Sequence, residues 1–291
     1  MKLLLCADLH LRHDMPTCRK DANWLESQRY DLERIGEIAM KEDVDQIWVL
    51  GDVFHRPVET PEVVNMAISE MCYWPCTPLI LCGNHDLKYH NVELKNECSI
   101  GTLLTHFPSL ADDYNDSSVG AYDFGTEVNN GVDIVAIHKL VFATKNKLVQ
   151  NCLTAEDMFM QYPSSRLIVM GDYHDGWEVR NEENRLAIMC GCMNIQSAAL
   201  ADYRPHVVIV DTETLEYYLV DINNPLAIIS TEHIKDENER NERLEKCLEV
   251  ASENSKTSLD FTSQLYNLAT TLAGEQKRLI LELIEELNRT K

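Results

Sequence analysis

Five short segments of the chain bring together aspartate, histidine and asparagine: Asp8-Leu9-His10, Gly51-Asp52-Val53-Phe54-His55-Arg56, Gly83-Asn84-His85-Asp86, His138-Lys139 and Gly171-Asp172-Tyr173-His174. Carboxylate, imidazole and amide oxygen are donors for a divalent cation. With no cysteine at the matching positions, the set favours Mn²⁺, Fe²⁺ or Zn²⁺ in a nitrogen and oxygen site. Asp8, His10, Asp52, Asn84, His138, Asp172 and His174 are more donors than one ion needs. They suit two ions sharing a carboxylate, an arrangement that clamps both oxygens of a phosphoryl displacement. On an extended chain Asp8 and His10, two residues apart, point the same way. The glycines before Asp52, Asn84 and Asp172 read as sharp exits from a strand. Taken singly, each segment has an ordinary reading as a cap, a turn or a core histidine. Their ordered recurrence singles them out.

Each segment follows a predicted strand. Apolar runs at 2–7, 46–50, 79–82, 132–137 and 167–170 read as strands. Leu32, Ile35, Ile38 and Ala39 share one helical face, as do Val63, Met66, Ala67 and Met71. This alternation predicts an α/β sheet of buried, largely parallel strands, whose carboxyl ends face the ligand crevice. Five polar clusters at such ends converge on one place. Short strands at 185–190, 206–211 and 216–221 then predict an antiparallel closing sheet. From about Ile234 the chain reads as charged helices, with apolar stripes along 261–272 and 279–287 and a linker at 253–258. The predicted organisation is 1–222 for the catalytic body, 223–254 for a connecting helical segment and 255–291 for a C-terminal helical segment.

Composition narrows the class. At 45% apolar and 25% charged, the 291 residues are those of a folded globular protein. No apolar run approaches the roughly 20 residues of a membrane helix. The short run Leu3–Ala7 reads as a buried strand rather than a signal peptide, which predicts a cytoplasmic protein without membrane attachment. The net charge of −22 argues against coating nucleic acid by charge alone. The ten cysteines fit no common zinc spacing and read as small buried hydrophobes in a reducing compartment.

The ordered motifs resemble those of the calcineurin-like metallophosphoesterases, which run Asp-x-His, Gly-Asp, Gly-Asn-His-Asp, His and Gly-His-x-His. The resemblance covers roughly 1–222. Within that superfamily the chain looks most like SbcD-like repair nuclease subunits and their bacteriophage recombination-endonuclease counterparts, chiefly through Gly51-Asp52-Val53-Phe54-His55-Arg56-Pro57 and less through Leu87-Lys88-Tyr89-His90-Asn91 after the third motif. It implies a four-layer α/β sandwich of two facing mixed β-sheets flanked by helices, with a C-terminal helical tail. It further implies two divalent ions, Mn²⁺ foremost and Mg²⁺ as the alternative. Asp8, His10 and His174 would hold the first ion, Asn84 and His138 the second, and Asp52 both. His85 would act at the scissile phosphate with Asp86 orienting its ring, and His55 would place the DNA strand. Asp172 stands where the pattern has histidine, so it is either a carboxylate ligand of the second ion or only a turn residue.

The implied function is a DNA exonuclease and endonuclease for repair or recombination, working with an SMC-like (SbcC-type) ATPase and as a homodimer. The tail helices would bind the ATPase coiled coil or else fold back on the body. The rival readings are a small-molecule or protein phosphoesterase of the same superfamily and a non-catalytic binding subunit.

Overall fold

The computed structural model describes residues 1–114, 116–127, 131–145, 149, 152–232, 269, 277, 278 and 281. The chain divides into two compact units, Met1–Ser230 and Thr231–Lys291. Apart from a few positions the second unit lies outside the described residues, as do the expected linker at 253–258 and the stripes at 261–272 and 279–287. Among the described residues, no helix is long and apolar enough to cross a membrane.

Among its described residues the first unit holds two five-stranded mixed sheets. In the first, β1 (Lys2–Cys6), β2 (Gln46–Val49) and β3 (Leu79–Ile80) run parallel, and β9 (His206–Asp211) and β10 (Tyr217–Asp221) extend the β1 edge antiparallel. In the second, β4 (Val119–Tyr122), β5 (Ile134–His138), β6 (Leu167–Gly171) and β8 (Leu186–Met189) are parallel, and β7 (Trp177–Arg180) closes the edge antiparallel to β8.

The period-2 alternation of strand side chains builds the layers. Leu3, Leu5 and Trp48 meet Ala136, Val169 and Ile188 between the sheets. The opposite faces are covered by helices. Leu4, Cys6, Ile47 and Val49 pack on α1 (Trp24–Glu42) and α2 (Pro61–Cys72), with Ile100 and Leu103 of α3 (Ser99–Leu104) in the same cluster, while Ile137, Ile168 and Met170 pack on α4 (Ala155–Gln161). The result is the expected four-layer sandwich. The helix α1 starts at Asn23, whose side chain accepts from Glu26 N–H, and stops at Asp43 in the left-handed conformation.

The expected sheet pairing is corrected, and three elements lie outside the sequence expectations. The run at 185–190 does not join 206–211 and 216–221 in one antiparallel sheet. Its strand β8 is buried on both faces, so it belongs inside the second sheet, parallel to β6. The strands β4 and β7 escaped a reading based on apolar runs. The first is Val-Gly-Ala-Tyr and the second has no fully buried residue. The helix α4 was also missed, although Thr154 and Asp157 form the capping box that marks its start. Residues 223–230, assigned to the connecting segment, are bonded into the first unit: Asn224 Nδ2 donates to Asp31 Oδ1 at 2.8 Å, and Ser230 N–H donates to the Cys18 carbonyl at 2.8 Å.

Candidate metal centre

The strand ends deliver the donors. Asp8 follows β1, Asp52 follows β2, Asn84 follows β3, His138 ends β5, and Asp172 and His174 follow β6. The convergence of Asp8 and His10 is not that of an extended strand. Both lie in the left-handed region (φ 52° and 45°), as does Asp52 (φ 51°), and Asp172 also has a positive φ (106°). Each such residue costs on the order of 1–2 kcal/mol. The backbone is held there by hydrogen bonds from Asp8 N–H to the Gly51 carbonyl and from His10 N–H to the Asp52 carbonyl, both 3.0 Å. Strain concentrated where strands end and donors begin is typical of functional sites.

The glycines serve mainly close approach. A Cβ on Gly83 would strike the Asp52 carboxylate, and one on Gly51, whose φ is +94°, would strike the His138 ring. Both positions must be bare for the carboxylate and the imidazole to enter the centre.

Two donor groups face each other across Asp52. On one side His138 Nδ1–H donates to the Leu50 carbonyl at 2.7 Å, which turns Nε2 inward to 3.0 Å from Asn84 Oδ1 and 3.5 Å from Asp52 Oδ1. Burial opposes a charge on His138, but Asp52 beside it raises its pKa to about 10. That pairing favours the protonated ring, whose Nε2–H would donate to Asn84 Oδ1. The same pairing keeps Asp52 below the usual carboxylate range although burial pushes it up. If Nε2 loses its proton, the imidazole lone pair, the amide oxygen and the carboxylate converge as ligands of one cation.

On the other side His10 Nε2 lies 2.9 Å from His174 Nε2 and 3.7 Å from Asp52 Oδ2. Burial holds both rings below their ordinary pKa. Asp8 Oδ2 accepts from Asp172 N–H at 3.0 Å, while its Oδ1 is buried with no hydrogen-bond partner among the described residues. A buried, unsatisfied carboxylate oxygen costs on the order of 1–3 kcal/mol or more. Beside two facing imidazole nitrogens, it fits a cation that would complete the site.

Ligand atoms of Asp8, His10 and His174 lie within 4.8 Å of one another, as do those of Asp8, Asp52 and His138, and of His10, His55 and His85. Asp172 joins none of these groups among the described residues. Its half-buried carboxyl is pushed up by burial and feels the charges of His138, Asp52 and His85. As a ligand of the second ion, Asp172→Ala is expected to lose one metal per chain and most activity, whereas Asp172→His retains both metals. Elemental analysis of the two variants checks this; an alanine variant with both ions and full activity reduces Asp172 to a turn residue.

The third histidine group stands beside the donors. The ring of His85 is 4.8 Å from that of His10 and 5.3 Å from that of His55. Asp86 does not orient it. His85 Nδ1–H donates instead to the His55 carbonyl at 2.9 Å. Asp86 is fully buried and accepts from Phe54 N–H at 2.8 Å, Gly83 N–H at 2.9 Å and Val53 N–H at 3.3 Å, tying the second and third loops together. Its short side chain is saturated by backbone donors before it can reach a ring. Burial first, and then Asp52, push its pKa up to about 7. Asp86→Ala leaves these buried N–H groups without partners, so urea denaturation is expected to show a loss of about 3 kcal/mol. A loss under about 1 kcal/mol would mean that water replaces the carboxylate.

The carbonyls of Leu50 and His55, which set the two ring orientations, have no sequence signature. His55 itself is half-buried, with Nδ1 buried and without a hydrogen-bond partner among the described residues. Burial, and then the charges of Arg12, His85 and Arg56, lower its pKa to about 4.

The sequence pattern of the family described as calcineurin-like phosphoesterase matches residues 1–162. That span contains every expected donor except Asp172 and His174. No curated protein matches the chain significantly. Similar solved structures include the protein TT1561 of Thermus thermophilus, at 6% identity over 76% of this chain and 99% of that one with a TM-score of 0.47. A dimetal phosphatase from Danio rerio matches at 11% identity over 76% and 99%, with a TM-score of 0.44. A metallophosphoesterase from Sphaerobacter thermophilus matches at 15% identity over 77% and 89%, with a TM-score of 0.39.

Proposed function

The chain belongs to the calcineurin-like phosphoesterase family, and from that premise we propose that it is the nuclease subunit of a cytoplasmic DNA repair or recombination complex. Family membership makes it a metal-dependent phosphoesterase. Asp8, His10 and His174 would hold one ion, Asn84, His138 and Asp172 the other, and Asp52 both. When bound, the ions supply positive charge at the phosphoryl oxygens and a nucleophile at neutral pH. Mn²⁺ is the preferred ion, given nitrogen and oxygen donors without sulfur.

The protein's own groups do the rest. The His55 carbonyl holds His85 Nδ1–H, so His85 Nε2 is the atom left to meet the substrate. A proton carried there passes to the departing oxygen. The observation that carries the nuclease reading is His55. Its ring stands against both His10 and His85, at 5.4 and 5.3 Å, and its buried Nδ1 has no hydrogen-bond partner among the described residues. It lines the reacting side without being needed as a ligand, which suits placement of a strand. The apolar stripes at 261–272 and 279–287 support a helical partner, for which an SMC-like ATPase is proposed, and the active form is proposed to be a homodimer.

The test is hydrolysis in Mn²⁺ of an end-labelled DNA duplex, bis(p-nitrophenyl) phosphate and a phosphoprotein. Cleavage of the duplex and the small diester, with the phosphoprotein untouched, is expected, and co-expression with the ATPase should stimulate only duplex cleavage. Turnover of the phosphoprotein or of small monoesters alone would replace the nuclease with the phosphatase reading.

A further inference from the structure

Arg12 lies two residues beyond His10, and its main chain is clamped. Its N–H donates to Gln28 Oε1 at 2.8 Å, and its carbonyl accepts from Trp24 Nε1 at 3.0 Å and Gln28 Nε2 at 2.9 Å. The guanidinium is pinned as well. One nitrogen donates to Gln196 Oε1 at 3.2 Å and another to Asp14 Oδ2, while Nε is buried with no partner among the described residues. Arg56, adjacent to His55 in sequence, donates to the same Asp14 oxygen at 3.0 Å. Both positive charges reach His55. The other acid in reach is the half-buried Glu59.

Two guanidiniums thus share one carboxylate oxygen at the edge of the metal centre. Their fork geometry matches an oxyanion with several acceptor oxygens better than a single carboxylate oxygen. The Asp14 side chain is 45% exposed and that of Arg56 55%, and exposed ion pairs contribute little. Asp14 is therefore easily displaced, whereas Arg12, 12% exposed, is held in place. On a chain with a net charge of −22, a pair of arginines beside the reacting histidines is a local exception that anion recognition explains.

We infer that Arg12 and Arg56 form a second phosphate subsite, for the phosphate next to the scissile one along a nucleic-acid strand, and that Asp14 fills it between substrates. The inference rests on the nuclease reading and adds a substrate feature to it: a second phosphate on the same molecule.

The probes are p-nitrophenyl esters of thymidine 5′-phosphate and thymidine 3′-phosphate, each with and without a phosphate on the other sugar oxygen. The full-length protein in Mn²⁺ is expected to show about tenfold higher kcat/KM for one of the doubly phosphorylated esters, through KM. Arg56→Gln and Arg12→Gln should abolish that preference. Asp14→Asn should increase it, because the competing carboxylate is gone. A purely structural ion-pair cluster predicts the opposite for Asp14, since all three changes would then weaken the site alike. Absence of any preference in the unaltered protein, its survival in Arg56→Gln, or its decrease in Asp14→Asn overturns the inference. The exposed Arg56 carries the test if the Arg12 variant does not fold. If neither ester class is turned over, the nuclease reading fails by itself. Calorimetric binding of thymidine 3′,5′-bisphosphate against the two monophosphates then still reads the subsite: tighter bisphosphate binding that Arg56→Gln removes supports it, and equal binding overturns it.

Discussion

His85→Ala is expected to lower kcat on any phosphodiester by roughly a hundred- to ten-thousand-fold, the range of a general acid–base group, while two metal ions per chain are retained. The expectation follows from the ring's position. His85 Nδ1–H is committed to the His55 carbonyl, and its ring stands at 86° to that of His10 with centroids 4.8 Å apart. It stands beside the donors that flank Asp52 rather than among the residues those donors need. Its ligand atom does come within 4.8 Å of those of His10 and His55, so a ligand role is the specific alternative. Elemental analysis alongside single-turnover kinetics decides. A variant that has lost an ion as well as its rate would move His85 into the metal shell and leave the proton-transfer role without a residue. The backbone N–H of His85 donates to Asp52 Oδ1 at 2.8 Å. Because the side-chain change leaves that bond intact, loss of metal could not be attributed to a displaced Asp52.

Asp52→Asn is expected to remove metal binding altogether. Asp52 lies close to both donor groups, 3.7 Å from His10 Nε2 and 3.5 Å from His138 Nε2. Loss of an outer partner of a ligand costs roughly 10–100-fold in metal affinity or activity, and loss of the shared donor should exceed that. The metal-free protein suffers too. His138 is raised to about 10 chiefly by Asp52, against burial. Without the carboxylate, a protonated His138 would lose its main counter-charge. Breaking a buried pair by removing one partner costs about 3–5 kcal/mol. Thermal unfolding with and without Mn²⁺ reads both effects: a lower Tm in the absence of metal, and no rise in Tm when Mn²⁺ is added. An asparagine variant that still binds two ions and unfolds like the unaltered protein would show that the two donor groups are independent and that Asp52 bridges nothing.

Much of the centre was legible because metal chemistry restricts residue type and strand ends restrict place. Asp8, His10, Asp52, Asn84, His138, Asp172 and His174 could be singled out as candidate donors from residue type and order alone. The buried runs that precede them were equally visible, since a strand covered on both faces must be nearly all apolar. Amino-acid type also marked His55 and Asp86, but it could not assign their partners. A carboxylate beside a histidine in sequence suggests that one orients the other. Only the packed loops show that Asp86 is consumed by the N–H groups of Val53, Phe54 and Gly83, leaving the His55 carbonyl to hold His85. Backbone carbonyls carry no side-chain signature, so the groups that aim His85 and His138 could not be named before the chain was folded. The same limit applies to conformation. Asp8 and His10 converge through left-handed turns that no extended-strand rule contains, because non-local hydrogen bonds to the Gly51 and Asp52 carbonyls stabilise them. Sheet membership was decided at the same level. The strand β8 is apolar on both faces in sequence, but whether it closes the first sheet or lies within the second depends on which layers cover those faces. Residue chemistry is local and survives in the sequence, whereas partner choice is a competition among all groups that folding brings within reach, and only tertiary structure decides it.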